Sequence, residues 1–270
     1  CKRNGINSTC RIMTRYAFLI QYQGKNYAGS QIQLEPNGLE QPNPTIQGLL
    51  EKAICTFSGV KPTSDNPRPI KTVFSGRTDA GVNSIGQTVH VDLDNNIVAS
   101  KFINSINGLL PKDISISDVR KVDSSFHAQK SAKKRYYRYV FVNREQRKAF
   151  DGDLLRVENS LNIERMNKAL SYLVGEHDFT SFKNSGSSNP YTVCEISEAN
   201  CYRHEDLIIL DISGNRFLYN MVRIIVGTLL DIERNDKTPE FMDKVLKAKD
   251  RKQAGKTVSP SGLTLLKVEY

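Results

Sequence analysis

The 270-residue chain reads as an α+β protein, two similar α/β lobes with a basic cleft between them. Three observations predict this. Apolar residues at strand spacing and at helix spacing alternate through two halves that divide near residue 115. Hydrophobic residues at 39% and charged residues at 25% describe a folded globular chain with ample core rather than a disordered one. A net charge of +9 and a pI near 9.2 point to a polyanion, most simply nucleic acid, with a merely basic surface as the bland alternative.

The first 14 residues are predicted to form a flexible N-terminal segment. Up to Arg15 the chain carries Lys2, Arg3 and Arg11 with no acid, a pattern shared by transit-peptide remnants, ordinary termini and sequence upstream of a start at Met13. The cytoplasm is therefore the expected location, with an organelle as the alternative. Residues 15–115 make the first lobe. Tyr16, Phe18, Ile20 and Tyr22 alternate along a strand, and the Gly/Pro/Asn-rich residues 24–44 are too long for a tight turn and read as a functional loop. Thr45 caps a helix bearing Ile46, Leu49, Leu50, Ala53, Ile54 and Phe57, which Gly59 stops. Val89, Val91 and Leu93 mark a further strand, and Phe102, Ile103, Ile106, Leu109 and Leu110 a helix ending at Pro111. Residues 116–270 make the second lobe, with a strand at 136–142 and a helix at 163–174 ended by Gly175. An apolar strand at 207–212, a largely buried helix at 217–230 and a closing strand at 263–270 complete it.

Several chemistries are not expected. Cys1, Cys10, Cys55, Cys194 and Cys201 are an odd number with no CxxC pair, and the four histidines are scattered. This pattern gives neither a zinc signature nor a disulfide framework. No apolar run approaches the ~20 residues of a membrane span. Gly255-Lys256-Thr257 resembles the end of a phosphate-binding loop, but the position of its first glycine is Asp250, so no nucleotide cofactor is expected.

Residues 130–148 hold eight basic residues, among them Lys134, Arg135 and Arg138, against one acid, Glu145, with Tyr136, Tyr137 and Tyr139 interleaved. Cations for phosphates and rings for unstacked bases suit RNA, although lysines on an edge strand also prevent sheet-to-sheet pairing. A second basic run at 244–256 is diluted by acids and reads as an exposed helix face. Asp79 lies in GRTDAGV between Gly76 and Gly81, two residues after Arg77. A Gly-flanked aspartate is commonly a turn-former. With an arginine partner it is expected to stay ionised, open enough to act as nucleophile or general base.

SGRTDAGV followed by GQTVHVDL resembles the central motif of the tRNA pseudouridine synthase A family. YQGKNYAGSQIQ, TIQGLLEKAI, FHAQKSAKKRYYRYVFVN, GEHDFTSF, SGNRFLYNMVRIIVGTLL and AGKTVSPSGLTLLKVEY resemble its other blocks in the right order, from about residue 15 to 270. The resemblance implies the pseudouridine synthase fold, with mixed, mainly antiparallel sheets. It also implies a cofactor-free, metal-free isomerase of tRNA that works as a homodimer on uridines of the anticodon stem-loop, at positions thirty-eight to forty. By the same resemblance Asp79 is the catalytic carboxylate, Tyr137 packs on the uracil and is placed for proton transfer, and Arg223 pairs with the aspartate. Arg77 helps to hold the target nucleotide out of the helix, and Lys134, Arg135 and Arg138 are expected to contact the RNA. Three positions depart from the family pattern: Ser30 stands for tryptophan, Asn83 for histidine and Gln129 for arginine. They bear on substrate contacts, and they keep two rivals open, an inactive RNA-binding relative and a synthase for other RNA positions.

Overall fold

The computed structural model describes residues 13–33, 43–94, 97–184 and 190–270. Most of the expected N-terminal segment, with Cys1 and Cys10, and residues 34–42 of the long loop lie outside these.

The first half contributes strand β1 (Met13–Tyr22), helix α1 (Ile46–Ser58), strands β2 (Thr72–Phe74) and β3 (Asn83–Asp94), helix α2 (Ala99–Leu109) and strand β4 (Ile114–Lys121). The Thr45 hydroxyl accepts from the Gly48 amide at the start of α1, and Gly59 ends it in the left-handed region at φ 66°. The second half adds β5 (Lys134–Asn143), β6 (Arg156–Val157), α3 (Ile163–Ser171), β7 (Gly175–Asp178), β8 (Val193–His204) and β9 (Leu207–Gly214). It closes with α4 (Met221–Arg234), α5 (Phe241–Ala248) and β10 (Leu263–Glu269).

Among the described residues all ten strands join one sheet in the order β4-β1-β3-β10-β5-β9-β8-β7, with β2 on β3 and β6 on β5. The last strand makes it continuous. β10 runs parallel to β3 through Thr264 and Asn83, and antiparallel to β5 through Leu265 and Tyr137. Apart from the β3–β10 and β5–β6 pairs, the pairings are antiparallel. The expected sheets of the two halves are thus fused through the seven residues of β10. Buried apolar side chains gather in two clusters. One comes from β1, α1, β3, α2 and β4; the other comes from β5, β8, β9, β10 and helices α3 to α5, with Val82 reaching into it.

Four differences from the sequence reading stand out. The helix expected at 217–230 starts later, at Met221, because Asn220 adopts a left-handed conformation at φ 62° and leaves Phe217 and Leu218 in the preceding turn. The helix expected at 163–174 ends at Ser171, and Gly175 opens β7. β8 escaped the reading because most of its residues are polar and its outer face meets solvent. The second basic run lies only partly on a helix: Lys244 and Lys247 are on the exposed side of α5, and the chain leaves that helix at Lys249.

α4 is held at close range by the segment before β10. A Cβ built on Gly227 would stand 1.8 Å from the Lys256 carbonyl oxygen, and one on Gly255 would stand 2.4 Å from the Gly227 carbonyl oxygen. Backbone therefore rests on backbone. Gly227→Ala is expected to destabilise by roughly 1–3 kcal/mol, the usual cost of overpacking. Urea unfolding should show a lower midpoint with an unchanged slope.

Candidate active site

The GRTDAG loop joins β2 to β3 and is pinned on both sides of Asp79. The Ser75 amide donates to the Thr88 carbonyl at 2.8 Å, and the Gln87 carboxamide donates to the Gly76 carbonyl at 2.8 Å. The Thr78 amide donates to the buried Ser30 hydroxyl at 2.8 Å, while the Ser30 amide donates to the Thr78 carbonyl at 3.1 Å. The hydroxyls of Thr78 and the buried Tyr22 are hydrogen-bonded at 2.8 Å. After Asp79 the chain turns through Gly81 at φ 80°, and the Val82 amide donates to the Asp79 carbonyl. The carboxylate is thus carried on a rigid turn.

Arg223 reaches this carboxylate from the first turn of α4. Its Nη1 lies 3.6 Å from Asp79 Oδ2, with the two side chains only 15% and 19% exposed. The guanidinium is aimed by two further acceptors, the Val258 carbonyl, 2.8 Å from Nε, and Asn220 Oδ1, 2.5 Å from Nη1. The left-handed Asn220 that delays the start of α4 is therefore also the residue that orients the arginine. An arginine neighbour alone predicts a lowered pKa for Asp79. The balance runs the other way: burial raises it above its ordinary value, and Arg223 offsets only part of that rise.

Tyr137 completes the cluster. It lies on β5, buried, with its ring edge-on to Phe217 at 5.1 Å. Burial, with the nearby Tyr22 and Asp79, pushes its pKa well above the ordinary tyrosine value. The phenol therefore keeps its proton at neutral pH.

The cations expected to contact RNA separate. Arg77 is exposed and makes no ion pair or hydrogen bond among the described residues. Arg135 donates to four backbone carbonyls, those of Ala132, Asn215, Ser75 and Gln129, so its fork is occupied in tying loops together. Side chains alternate along β5, which sets Lys134, Tyr136 and Arg138 on the face opposite Tyr137. There Arg138 forms a two-pronged pair with Asp211 at 2.7 and 2.8 Å, and Lys134 lies 3.7 Å from Glu198. Of the interleaved tyrosines, Tyr139 is fully buried, its hydroxyl donating to the Ser259 carbonyl, while Tyr136 carries the ammonium groups of Lys134 and Lys267 over its ring.

The three departures are built into the scaffold. Ser30 braces Thr78 as described. Asn83 accepts from the Gly24 amide at 2.8 Å and donates to the Ser261 carbonyl at 3.1 Å, bridging the N-terminal loop to the C-terminal one. Gln129 lends its carbonyl to Arg135. Sequence reasoning noticed Ser30 and Asn83 only as substitutions and missed Asn220 and Val258 altogether. The one signal was that a buried arginine on an apolar helix needs acceptors. Among the described residues, no group of three or more His, Cys, Asp and Glu is placed to hold a metal ion, and no helix is long and apolar enough to cross a membrane.

Comparison with known proteins follows the same lines. A family model described as tRNA pseudouridine synthase matches residues 169–270. A protein of Thermoanaerobacter sp. (strain X514) named tRNA pseudouridine synthase A is 37% identical over 259 residues, covering 96% of this chain and 100% of the relative. One of the same name from Ehrlichia chaffeensis is 38% identical over 258 residues, covering 95% of this chain and 100% of the relative. Another from Exiguobacterium sibiricum is 37% identical over 258 residues, covering 96% and 97%. Among solved structures, a chain of a Cbf5-Nop10-Gar1 complex overlaps 92% of this chain and 57% of its own length at a TM-score of 0.38 and 8% identity, too weak a likeness to carry an argument.

Proposed function

The chain belongs to the tRNA pseudouridine synthase A family, and on that premise we propose that it isomerises uridine to pseudouridine in the anticodon stem-loop of tRNA. The observation that carries the reading is the rigid, mostly buried Asp79 carboxylate facing Arg223, with the protonated Tyr137 nearby. The target uridine must leave its stack to reach such a group. Asp79 then acts on the nucleotide, the C1′–N1 bond breaks, the base turns, C1′ bonds to C5, and the C5 proton leaves. Tyr137 packs on the uracil and donates a hydrogen bond. Arg223 holds the carboxylate in place and favours its ionised form. The reaction is redox-neutral and draws on no cofactor.

The free guanidinium of Arg77, beside the carboxylate in sequence and exposed to solvent, is the cation suited to the RNA backbone. Arg77→Gln is expected to weaken tRNA binding and to lower the salt slope, d log K/d log[salt], by about 0.9, one phosphate contact. Binding titrations at several salt concentrations check this. The cleft between the two lobes, the division near residue 115, a homodimer spanned by one tRNA and a cytoplasmic location belong to the same proposal; the named relatives are bacterial, which favours the cytoplasm over an organelle. The test is tritium release from tRNA labelled at uridine C5, with the modified positions mapped on the product. No release on any tRNA would overturn the enzyme reading in favour of an RNA-binding relative. Release confined to other positions would overturn the anticodon assignment.

A further inference from the structure

Phe150 is fully exposed, at 102% of its reference area, the most exposed of the large apolar side chains among the described residues. Scattered apolar residues on a surface need no explanation, but this one is presented by a braced turn. The Lys148 amide donates to Asp151 Oδ2 at 2.8 Å, the Asp151 amide donates to the Lys148 carbonyl at 3.2 Å, and the Leu154 amide donates to the Asp151 carbonyl at 3.2 Å. Arg144 bonds both Asp151 and Asp206, and Lys148 Nζ lies 2.7 Å from Asp206. The turn is thus tied to β5 and to the β8–β9 connection, and its phenyl ring projects from a fixed base into solvent.

One cation beside the ring is unpaired, and a short run of contacts links its turn to the catalytic loop. Lys148 and Lys25 keep 64% and 71% of their side chains exposed, and Arg147 is exposed with no ion pair among the described residues. Asp153, three residues after Phe150 and so within ~11 Å along the chain, pairs with Lys25 at 2.6 Å, and its carbonyl accepts from the Ser261 hydroxyl. The 260–261 turn in turn meets the catalytic loop: Pro260 lies against Gly81, and the Ser261 carbonyl accepts from Asn83. An exposed ring on a braced turn beside the unpaired Arg147, joined to the Asp79 loop through the Asp153–Ser261 and Pro260–Gly81 contacts, has the chemistry of a stacking platform for single-stranded nucleic acid.

We infer that Phe150, with Arg147 beside it, binds an unpaired base of the RNA at the rim of the active site, the ring stacking on the base and the guanidinium meeting its phosphate. The inference rests on the tRNA reading above. Binding of a tRNA transcript to Phe150→Ala is expected to be about 5- to 150-fold weaker at fixed salt, with an unchanged salt slope because no phosphate contact is lost. Phe150→Trp should bind at least as well as the native chain, whereas Phe150→Leu, apolar but unable to stack, should behave as Phe150→Ala. Arg147→Gln should instead reduce the salt slope by about 0.7–0.9. Equal binding by Phe150→Ala and the native chain overturns the inference. So does a fall in oligomeric state of Phe150→Ala in sedimentation, which would make the ring a contact between copies of this chain. Tritium release by the native chain, run in parallel, separates the two failures. With release intact, unaltered Phe150→Ala binding sinks only the stacking site, whereas a native chain that neither binds nor reacts with tRNA sinks the functional reading and the stacking site together.

Discussion

Asp79→Asn is expected to abolish tritium release from C5-labelled tRNA, by ~10³-fold or more, while tRNA binding stays within a few-fold of native. The substitution keeps shape and one acceptor oxygen but removes the negative charge and the basicity on which either route, covalent attack or assisted cleavage, depends. It should not cost stability. Burial raises the Asp79 pKa in the folded chain, so the fold binds this proton more tightly than the unfolded chain does. The group's contribution is accordingly best below its unfolded pKa and declines as pH rises through the window up to the raised folded value. At neutral pH the charged carboxylate is a liability that function requires, and the neutral amide removes it. The thermal midpoint of Asp79→Asn at pH 7 is therefore expected to be no lower than native. Undiminished tritium release would remove Asp79 from the reaction.

Arg223→Met should show the second-largest effect, and its signature is a pH profile. Removing one member of a buried ion pair costs ~3–5 kcal/mol when both groups are fully desolvated. Here both ends keep some exposure, so the stability cost should be smaller, while kcat/KM at neutral pH should fall because the carboxylate is less well held and less readily ionised. Native kcat/KM should fall on the acid side about a midpoint above the ordinary aspartate value, because the carboxylate must be ionised and its pKa is raised. Without the guanidinium, burial acts unopposed and the acid limb moves to still higher pH. Activity in Arg223→Met should consequently recover in part as pH rises, which a merely misfolded variant would not do. An acid limb that stays in place would separate Arg223 from Asp79. Arg223→Lys should keep part of the charge effect but lose the aim, since an ammonium cannot meet the Val258 carbonyl, Asn220 and Asp79 with the same planar fork.

β1, α1, α2, β5, β9 and β10 are legible in the sequence because they are strongly periodic, with caps and breakers marking the ends of the helices. β8 is not legible in the sequence because most of its residues are polar, and α5 shows only as part of a basic helix face; the burial of Ile196 or Leu246 depends on partners far along the chain. The catalytic candidates were legible for another reason. Asp79, Tyr137 and Arg223 stand in three separate blocks whose wording resembled one family, whereas taken singly they read as a turn residue, a strand aromatic and an isolated arginine.

By itself the sequence determined which residue types are available for chemistry, which stretches are strands or helices, and that a basic chain of this kind suits RNA. These follow from neighbours a few positions apart, where propensity, capping and periodicity act. The tertiary structure decided what required sums over distant contacts. It fused the sheet through β10, set Lys134 and Arg138 on the face opposite Tyr137, and occupied Arg135 with carbonyls up to 80 residues away. It also reversed the sign of the Asp79 shift, because desolvation is a property of everything packed around a group, and the sequence displays only the arginine that opposes it.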